Sequence, residues 1–382
     1  MPNLTDIILD RVTGDDMDFM RVEADVQRNA LRRLRQLERD LIAQLARVDP
    51  SEPKGQKAQM ARLDKLLAAT RFDIRTAYLE VERLASEQLV GLARLTIDQT
   101  ADAVNGSVSV SIQRAGGLSA AEVGDVAFFT RAVPQETVTA TVDALTVQGA
   151  PARDWWRGQA RNTQAQYIRA IRTGLNAGEN LTQLRQRIIG PSGIMKTSQR
   201  NADAMIQTSI QSVINESRMD LYRQHPDLMR GIEWRSVLDN RTSPICIALS
   251  GQAWTIDGAR LLGTTEPFPG PPPAHWRCRS TIVPVFRSQA VLSRDFARLK
   301  NKFDQLPSSS LAGIDGQLSQ GLTFEGWLRG QSEQVQRQKL GPKRLQLWKD
   351  GQIALTDLID QRARPRNIEQ LEALIQRRKD AA

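Results

Sequence analysis

Sulfur and imidazole are scarce in this chain, which holds two cysteines and two histidines in 382 residues. Two cysteines cannot build a disulfide framework, so the small stapled folds of secreted modules are excluded. Aromatic residues make up only 5% of the chain while glutamine and arginine are abundant, a balance that fits a helix-rich protein. No uncharged apolar run approaches the roughly 18 residues that a membrane span needs. The opening segment, MPNLTDIILDRVTGDD, has no basic stretch followed by an apolar one, so no secretory signal is expected. A soluble product of a reducing compartment is the resulting expectation. There is no GxxxxGK[ST] phosphate loop and no GxGxxG after a strand, which leaves NTP hydrolysis and dinucleotide binding unsupported.

What is present is length and positive charge. A chain of this size can bury a sizeable core and is expected to form two or more folded units. The net charge of +9 is unevenly spread. Between Arg153 and Arg200 there are nine bases, Arg153, Arg157, Arg161, Arg169, Arg172, Arg185, Arg187, Lys196 and Arg200, against two acids, Asp154 and Glu179. A surplus of seven positive charges in one segment would attract nucleic acid, and the attraction should weaken steeply with salt. The competing reading is a solvated helical face on which arginine serves as a helix former.

The periodicity predicts a mostly helical α+β protein. Leu31, Leu34, Leu37, Leu41, Leu45 and Val48 form one apolar stripe over residues 20–48, closed by Pro50 and Pro53. A second stripe runs through Met60, Leu63, Leu67, Ile74, Leu84 and Leu92. Two amphipathic helices joined by VDPSEPKG predict a long N-terminal helical hairpin over residues 1–100. Residues 101–140 read as a connector in which SVSVSIQ alternates like a short strand. Helices are predicted over Trp155–Arg172, Leu181–Ile189 and about Lys196–Gln224, with a glycine turn at Gly174 and Gly178. Strands follow at Ile232–Leu238 and Ser280–Val285, the second placed at a sheet edge because Pro284 has no N–H to give. Residues 141–290 are thus a helical core with a small sheet. Residues 291–382 are a helical C-terminal tail, opened by a hinge-like stretch through Gly313, Gly316 and Gly321 and broken again at Gly341-Pro342 and Gly351.

Both cysteines and one histidine fall in the window Trp234–Phe286. His275 and Cys278 stand at ligand spacing and Cys246 lies upstream, so the three are the candidate metal ligands. Closed structural zinc wants four donors, and upstream of Cys246 stand Thr242 and Ser243; Asp239 or water would have to supply the fourth. The reading preferred from sequence has no metal and no cofactor. In it a buried cysteine packs as a small apolar residue and the histidine ties down the proline loop. Zinc is the one cofactor these residues leave open. Nucleophilic catalysis by either cysteine with His275 lacks a recognisable oxyanion hole. Asp239 and Asp257 read as turn formers rather than an acid–base pair, so no catalytic residue is assigned.

The same window resembles the phage head morphogenesis family, also called Mu F-like minor head proteins. The resemblance rests on D-x-R-T-x-x-x-C, L-x-G and P-P-x-H-x-x-C-R-x-x-x-x-P-V, here Asp239, Arg241, Thr242, Cys246, Leu249, Gly251, Pro272, Pro273, His275, Cys278, Arg279, Pro284 and Val285. Upstream, Thr208, Asn215 and Arg218 match a helix of the form T-x-x-x-x-x-x-N-x-x-R. Gly149 with Trp155, and Arg172 with Gly174, Gly178 and Glu179, are similar to further segments of the family. In the tail, Phe324, Glu325, Trp327, Leu328, Leu340, Gly341, Arg344, Leu347, Asp350 and Gly351 resemble many members. The family's C-x-x-C is Ser243 and Cys246 here, a departure that removes one thiolate.

The resemblance implies a structural minor head protein, not an enzyme, present in the virion after assembly in the host cytoplasm. Its implied partners are the portal protein, then scaffold or major capsid protein, and packaged double-stranded DNA; no membrane is implied. Two alternatives are a virion-delivered nuclease or toxin and a zinc-stabilised DNA-binding module. Against a fused metallonuclease, the residues after Phe286 contain no histidine, no cysteine and no carboxylate set at ligand spacing.

Overall fold

The structure, a computed structural model, describes residues 4–46, 56–116, 133–226, 229–239, 241–261, 263–286, 310–313, 316–319, 324–360 and 364–380. It is a mostly helical α+β protein with small antiparallel sheets, the predicted class. Among the described residues no helix is long and apolar enough to cross a membrane. The chain divides into two compact units. One comprises Met20–Leu92 and Val142–Ile210, and the other Met1–Phe19, Ala93–Thr141 and Gln211–Ala382.

The first unit is helical. Helix α1 spans Leu4–Ala46 and α2 spans Gln56–Gly116. Within this unit they run antiparallel: Thr70 donates to Gln44 at 3.2 Å, and Arg33 pairs with Glu80 farther along. The predicted connection VDPSEPKG lies outside the described residues. The buried stripe of α1 is Val26, Ala30, Leu34, Leu37, Leu41 and Leu45, so the seam passes through Ala30 rather than Leu31, which is only half-buried. On α2 the stripe includes Leu67, Ile74, Tyr78, Val81 and Leu89.

The hairpin β1 (Thr146–Val147) and β2 (Ala150–Pro151) turns at Gln148 and Gly149, both with positive φ, the conformation of a two-residue hairpin loop. It leads into α4 (Ala152–Asn176), itself preceded in the chain by α3 (Gln135–Asp143). Helix α5 (Leu181–Ile189) is opened by a reciprocal cap between Asn180 and Gln183. The first part of α6 (Ile194–Arg223) completes the unit. Its core carries a polar chain, Tyr78 to Thr163 at 3.0 Å and Thr163 to Ser198 at 2.9 Å, which ties α2 to α4 and α6. Burial pushes the Tyr78 phenol up despite those bonds.

One expectation fails in α2. The alternating SVSVSIQ is not a strand: the helix continues through it to Gly116. Serine and valine are only mildly unfavourable in helices, and the context of a long helix overrides a short alternation.

The second unit holds the four-stranded antiparallel sheet, ordered β5 (Arg260–Leu261), β4 (Ala253–Trp254), β3 (Met229–Arg235), β6 (Thr281–Phe286). Pro284 lies on the edge strand β6, opposite Ile232, as its missing donor predicts. A short helix, α7 (Pro244–Leu249), sits between β3 and β4 in sequence. Within the predicted hinge-like stretch β7 (Ser310–Gly313) pairs antiparallel with β8 (Gly316–Ser319), while Gly321 lies outside the described residues.

The C-terminal pieces follow as α8 (Phe324–Arg329), α9 (Glu333–Leu340), α10 (Pro342–Lys349), a 3₁₀ turn (Leu355–Leu358) and α11 (Ile368–Asp380). The breaks fall at Gly341 and Gly351, both with positive φ. These pieces share one core with Leu238 and Ile247, through Phe324, Trp327, Leu328, Trp348 and Leu358 among others.

Candidate functional site

The motif residues assemble in the second unit around β3, α7 and β6. Ser243 caps α7, accepting from the Cys246 N–H at 3.3 Å, and Pro244 supplies the first helical residue without an unsatisfied donor. This cap aims Cys246 inward. On the other side, His275 and Cys278 are brought together by a tight turn in which the Cys278 N–H donates to the His275 carbonyl at 3.1 Å and Arg277 takes a positive φ of 61°. The peptide between Pro272 and Pro273 is cis, at the entry to this loop. Cys246 Sγ then lies 3.1 Å from His275 Nε2 and 3.5 Å from Cys278 Sγ. Both cysteines are free thiols and both are buried. Trp234, Trp254, Leu249 and Ile359 pack round them.

Each polar group of the cluster has a partner. Ser243 Oγ is 2.7 Å from His275 Nε2, and the Trp276 carbonyl accepts from Nδ1 at 2.8 Å. Ser236 donates to the Cys246 carbonyl at 2.8 Å and meets Ser280 at 3.0 Å. The thiols are electrostatically unequal. Its hydrogen bond to Cys278, reinforced by burial, pushes Cys246 up. Cys278 accepts that bond, stands beside His275 and is held down against burial. Burial alone would lower His275; the sulfur of Cys278 and the Trp276 carbonyl outweigh it and raise the imidazole.

A second constellation braces the first. Asp239 receives Arg279 through two bonds of 2.6 and 2.7 Å, the backbone N–H of Arg241 at 2.8 Å and the hydroxyl of Thr242 at 3.2 Å. Burial would raise its carboxyl, but Arg279, the Arg241 N–H and Thr242 hold it down at about 2. Asp239 is therefore a fixed anion, which suits a clamp and not a general base at neutral pH. The side chain of Arg241 stays mostly in solvent. Lys339 of α9 donates to the Thr242 carbonyl at 3.1 Å, so the C-terminal helices grip the same turn. Gly251, at φ 83°, donates to the Trp234 carbonyl at 2.9 Å and turns the chain from α7 into β4.

Asn215 and Arg218 of α6 serve the open edge of β6. Asn215 Oδ1 accepts from the Ile282 N–H at 2.9 Å and from Thr281 at 3.1 Å, and its Nδ2 donates to the Ser280 carbonyl at 3.3 Å. A side chain thus pairs the strand where a further strand would otherwise sit. Arg218 is fully buried and reaches Thr281. Nothing in the local sequence of α6 announces this role, because the strand it serves lies far along the chain.

The arginine patch belongs to the first unit. Arg153, Arg157, Arg161, Arg169 and Arg172 on α4, and Arg185 and Arg187 on α5, are all exposed. Their helices bury Trp156, Ala160, Thr163, Tyr167 and Ile171, and Leu184 and Ile188, on other faces. Several of the arginines have carboxylates nearby: Arg187 donates to Glu179 at 2.6 Å, Arg157 stands 3.9 Å from Asp154, and Arg157 and Arg153 both attract the Glu82 carboxylate. At Gly174 a Cβ would come within 2.4 Å of Leu184 Cδ2 and 2.6 Å of the Glu179 carboxylate, so those two side-chain ends would have to shift to admit one.

Residues 161–283 match the family model described as phage Mu protein F like protein. This is the family the sequence motifs resemble, and the matched segment covers most of α4, all of α5 and α6, and the sheet with its Cys–His–Cys cluster. No curated protein and no solved structure matches the chain.

Proposed function

We propose that this chain is a structural protein of phage head morphogenesis. It docks on the portal protein, contacts packaged DNA through phosphates, and resides in the virion head after assembly in the host cytoplasm. Scaffold or major capsid protein are further partners in this reading. The observation that carries it is the match of residues 161–283 to the phage Mu protein F like family. The exposure of all seven patch arginines on α4 and α5 supports the DNA part, because only solvent-facing guanidinium groups can reach a phosphate backbone. The inward, mutually bonded arrangement around Asp239 supports a structural role for that motif.

Two measurements test the reading. The purified chain is expected to co-purify with the portal protein and to shift double-stranded DNA of any sequence. Replacing Arg161, Arg169 and Arg172 with alanine should reduce the slope of log affinity against log salt by about 2–3, at roughly 0.9 for each phosphate no longer neutralised. Failure to bind portal removes the docking claim, and a DNA complex indifferent to salt removes the phosphate claim. Turnover of nucleic acid with divalent metal, abolished by His275→Ala, would replace the structural reading with a nuclease.

A further inference from the structure

Three soft donor atoms in the second unit stand at metal-ligand spacing. Cys246 Sγ, His275 Nε2 and Cys278 Sγ all lie within 4.8 Å of one another. A tetrahedral zinc with bonds of about 2.3 Å to sulfur and about 2.0 Å to nitrogen has edges of about 3.8 Å between two sulfurs and about 3.5 Å between sulfur and nitrogen. The corresponding separations here are 3.5 Å and 3.1 Å. A small outward movement of the side chains would seat the ion. A disulfide, by contrast, needs sulfurs at about 2.05 Å, much closer than the pair lies.

The surroundings are those of a ligand set as well. The Trp276 carbonyl can only accept, so Nδ1 of His275 carries a hydrogen there, while Nε2 faces Cys246 Sγ at 3.1 Å and Ser243 Oγ at 2.7 Å. Such an outer hydrogen bond fixes ring orientation in metal-binding histidines. Two thiolates and an imidazole select zinc over the hard cations, which prefer oxygen. The fourth side of the cluster is occupied by Ser243, whose Oγ sits 2.7 Å from His275 Nε2. A cleft lined by Arg241, Thr242, Ser243 and His275 reaches this side.

We propose that Cys246, His275 and Cys278 bind one zinc ion whose fourth corner, at Ser243, is taken by an oxygen, either a water or the serine hydroxyl. By spacing alone Ser243 counts as a missing ligand. The geometry makes it the neighbour of the remaining coordination position. Binding displaces the thiol protons to solvent and leaves both sulfurs as thiolates. The site stands whether or not the chain docks on a portal.

The test uses the full chain, purified without chelator, and measures its metal content. About one zinc per chain is expected. The double variant Cys246→Ser, Cys278→Ser should lose it, with helical circular dichroism reporting whether the chain still folds. Cobalt substitution should give a thiolate-to-metal charge-transfer band that the double variant lacks. Ser243→Cys supplies a third thiolate and should raise zinc affinity at least about tenfold in competition with a chelator, an effect that a purely hydrogen-bonded cluster would not produce. A chain that neither carries zinc nor takes it up on titration overturns the proposal. So does a Cys246–Cys278 disulfide in protein handled without oxidant. Unchanged affinity in Ser243→Cys overturns the assignment of the fourth corner.

Discussion

The two units use arginine in opposite ways. In the sheet-bearing unit Arg218 and Arg279 point inward, where Arg279 grips Asp239 bidentately and Arg218 reaches Thr281. In the helical unit the arginines of α4 and α5 face solvent, with carboxylates at hand for only a few. A buried guanidinium deprived of its partner leaves an uncompensated charge, whereas an exposed one is rehydrated. The first kind therefore determines the fold and the second is available to a partner. A count of charges along the sequence does not separate them; burial does.

The contrast breaks most sharply at Arg279. Arg279→Ala strands the Asp239 carboxylate at a site only 10% exposed. A destabilisation of roughly 3 kcal/mol is expected. For a unit of this size that corresponds to a fall of about 6–12 °C in Tm, read by thermal denaturation. A shift of only a fraction of that would mean that the clamp is not what holds the turn.

That clamp also shows what is legible in the sequence. Asp239, Arg241, Thr242 and Arg279 are picked out by the resemblance to the family's motif, Asp239 by itself reading as a turn former, and the four do meet. Cys246, His275 and Cys278 stand out by scarcity in one window, and they converge. Pro284 predicts its own edge position. Legibility ends where contacts join distant segments. Asn215 is marked by the resembled T-x-x-x-x-x-x-N-x-x-R form, but that form names no partner, and it pairs the backbone of the distant β6. Phe324, Trp327 and Leu328 read as part of a tail, yet they share a core with Leu238 and Ile247. SVSVSIQ misleads for the converse reason: a local alternation is overruled by the helix that contains it.

Asn215 offers the next largest effect. Asn215→Ala leaves the Ile282 N–H and the Ser280 carbonyl without their buried partner, at a cost of about 2 kcal/mol. Amide exchange at Ile282 should accelerate more than exchange at residues of β3. Equal acceleration everywhere would show general loosening rather than an unpaired edge.

Acid should act on the inward unit through Asp239. Its carboxyl is held at about 2 in the folded chain, against an ordinary value of about 3.9. A depressed carboxyl stabilises the fold above the unfolded value, and that contribution disappears as pH falls from about 4 toward about 2, an amount of about 2 kcal/mol. Denaturant midpoints measured across that range should fall for the native sequence and fall less for Arg279→Ala, whose Asp239 lacks its main partner. Parallel curves would assign the acid sensitivity to other carboxylates.

The smallest effect sharpens the comparison from the other side. Arg169 is exposed on α4, so Arg169→Ala should change stability by no more than about 0.5 kcal/mol. The same change should still leave one phosphate unneutralised, lowering the salt slope of DNA binding by roughly 0.9. Stability and binding then separate at a single residue, which neither Arg279 nor Asp239 allows. Were Arg169→Ala to lower Tm as far as Arg279→Ala does, the outward arginines would be holding the fold too, and exposure would no longer distinguish a partner-facing charge from a structural one.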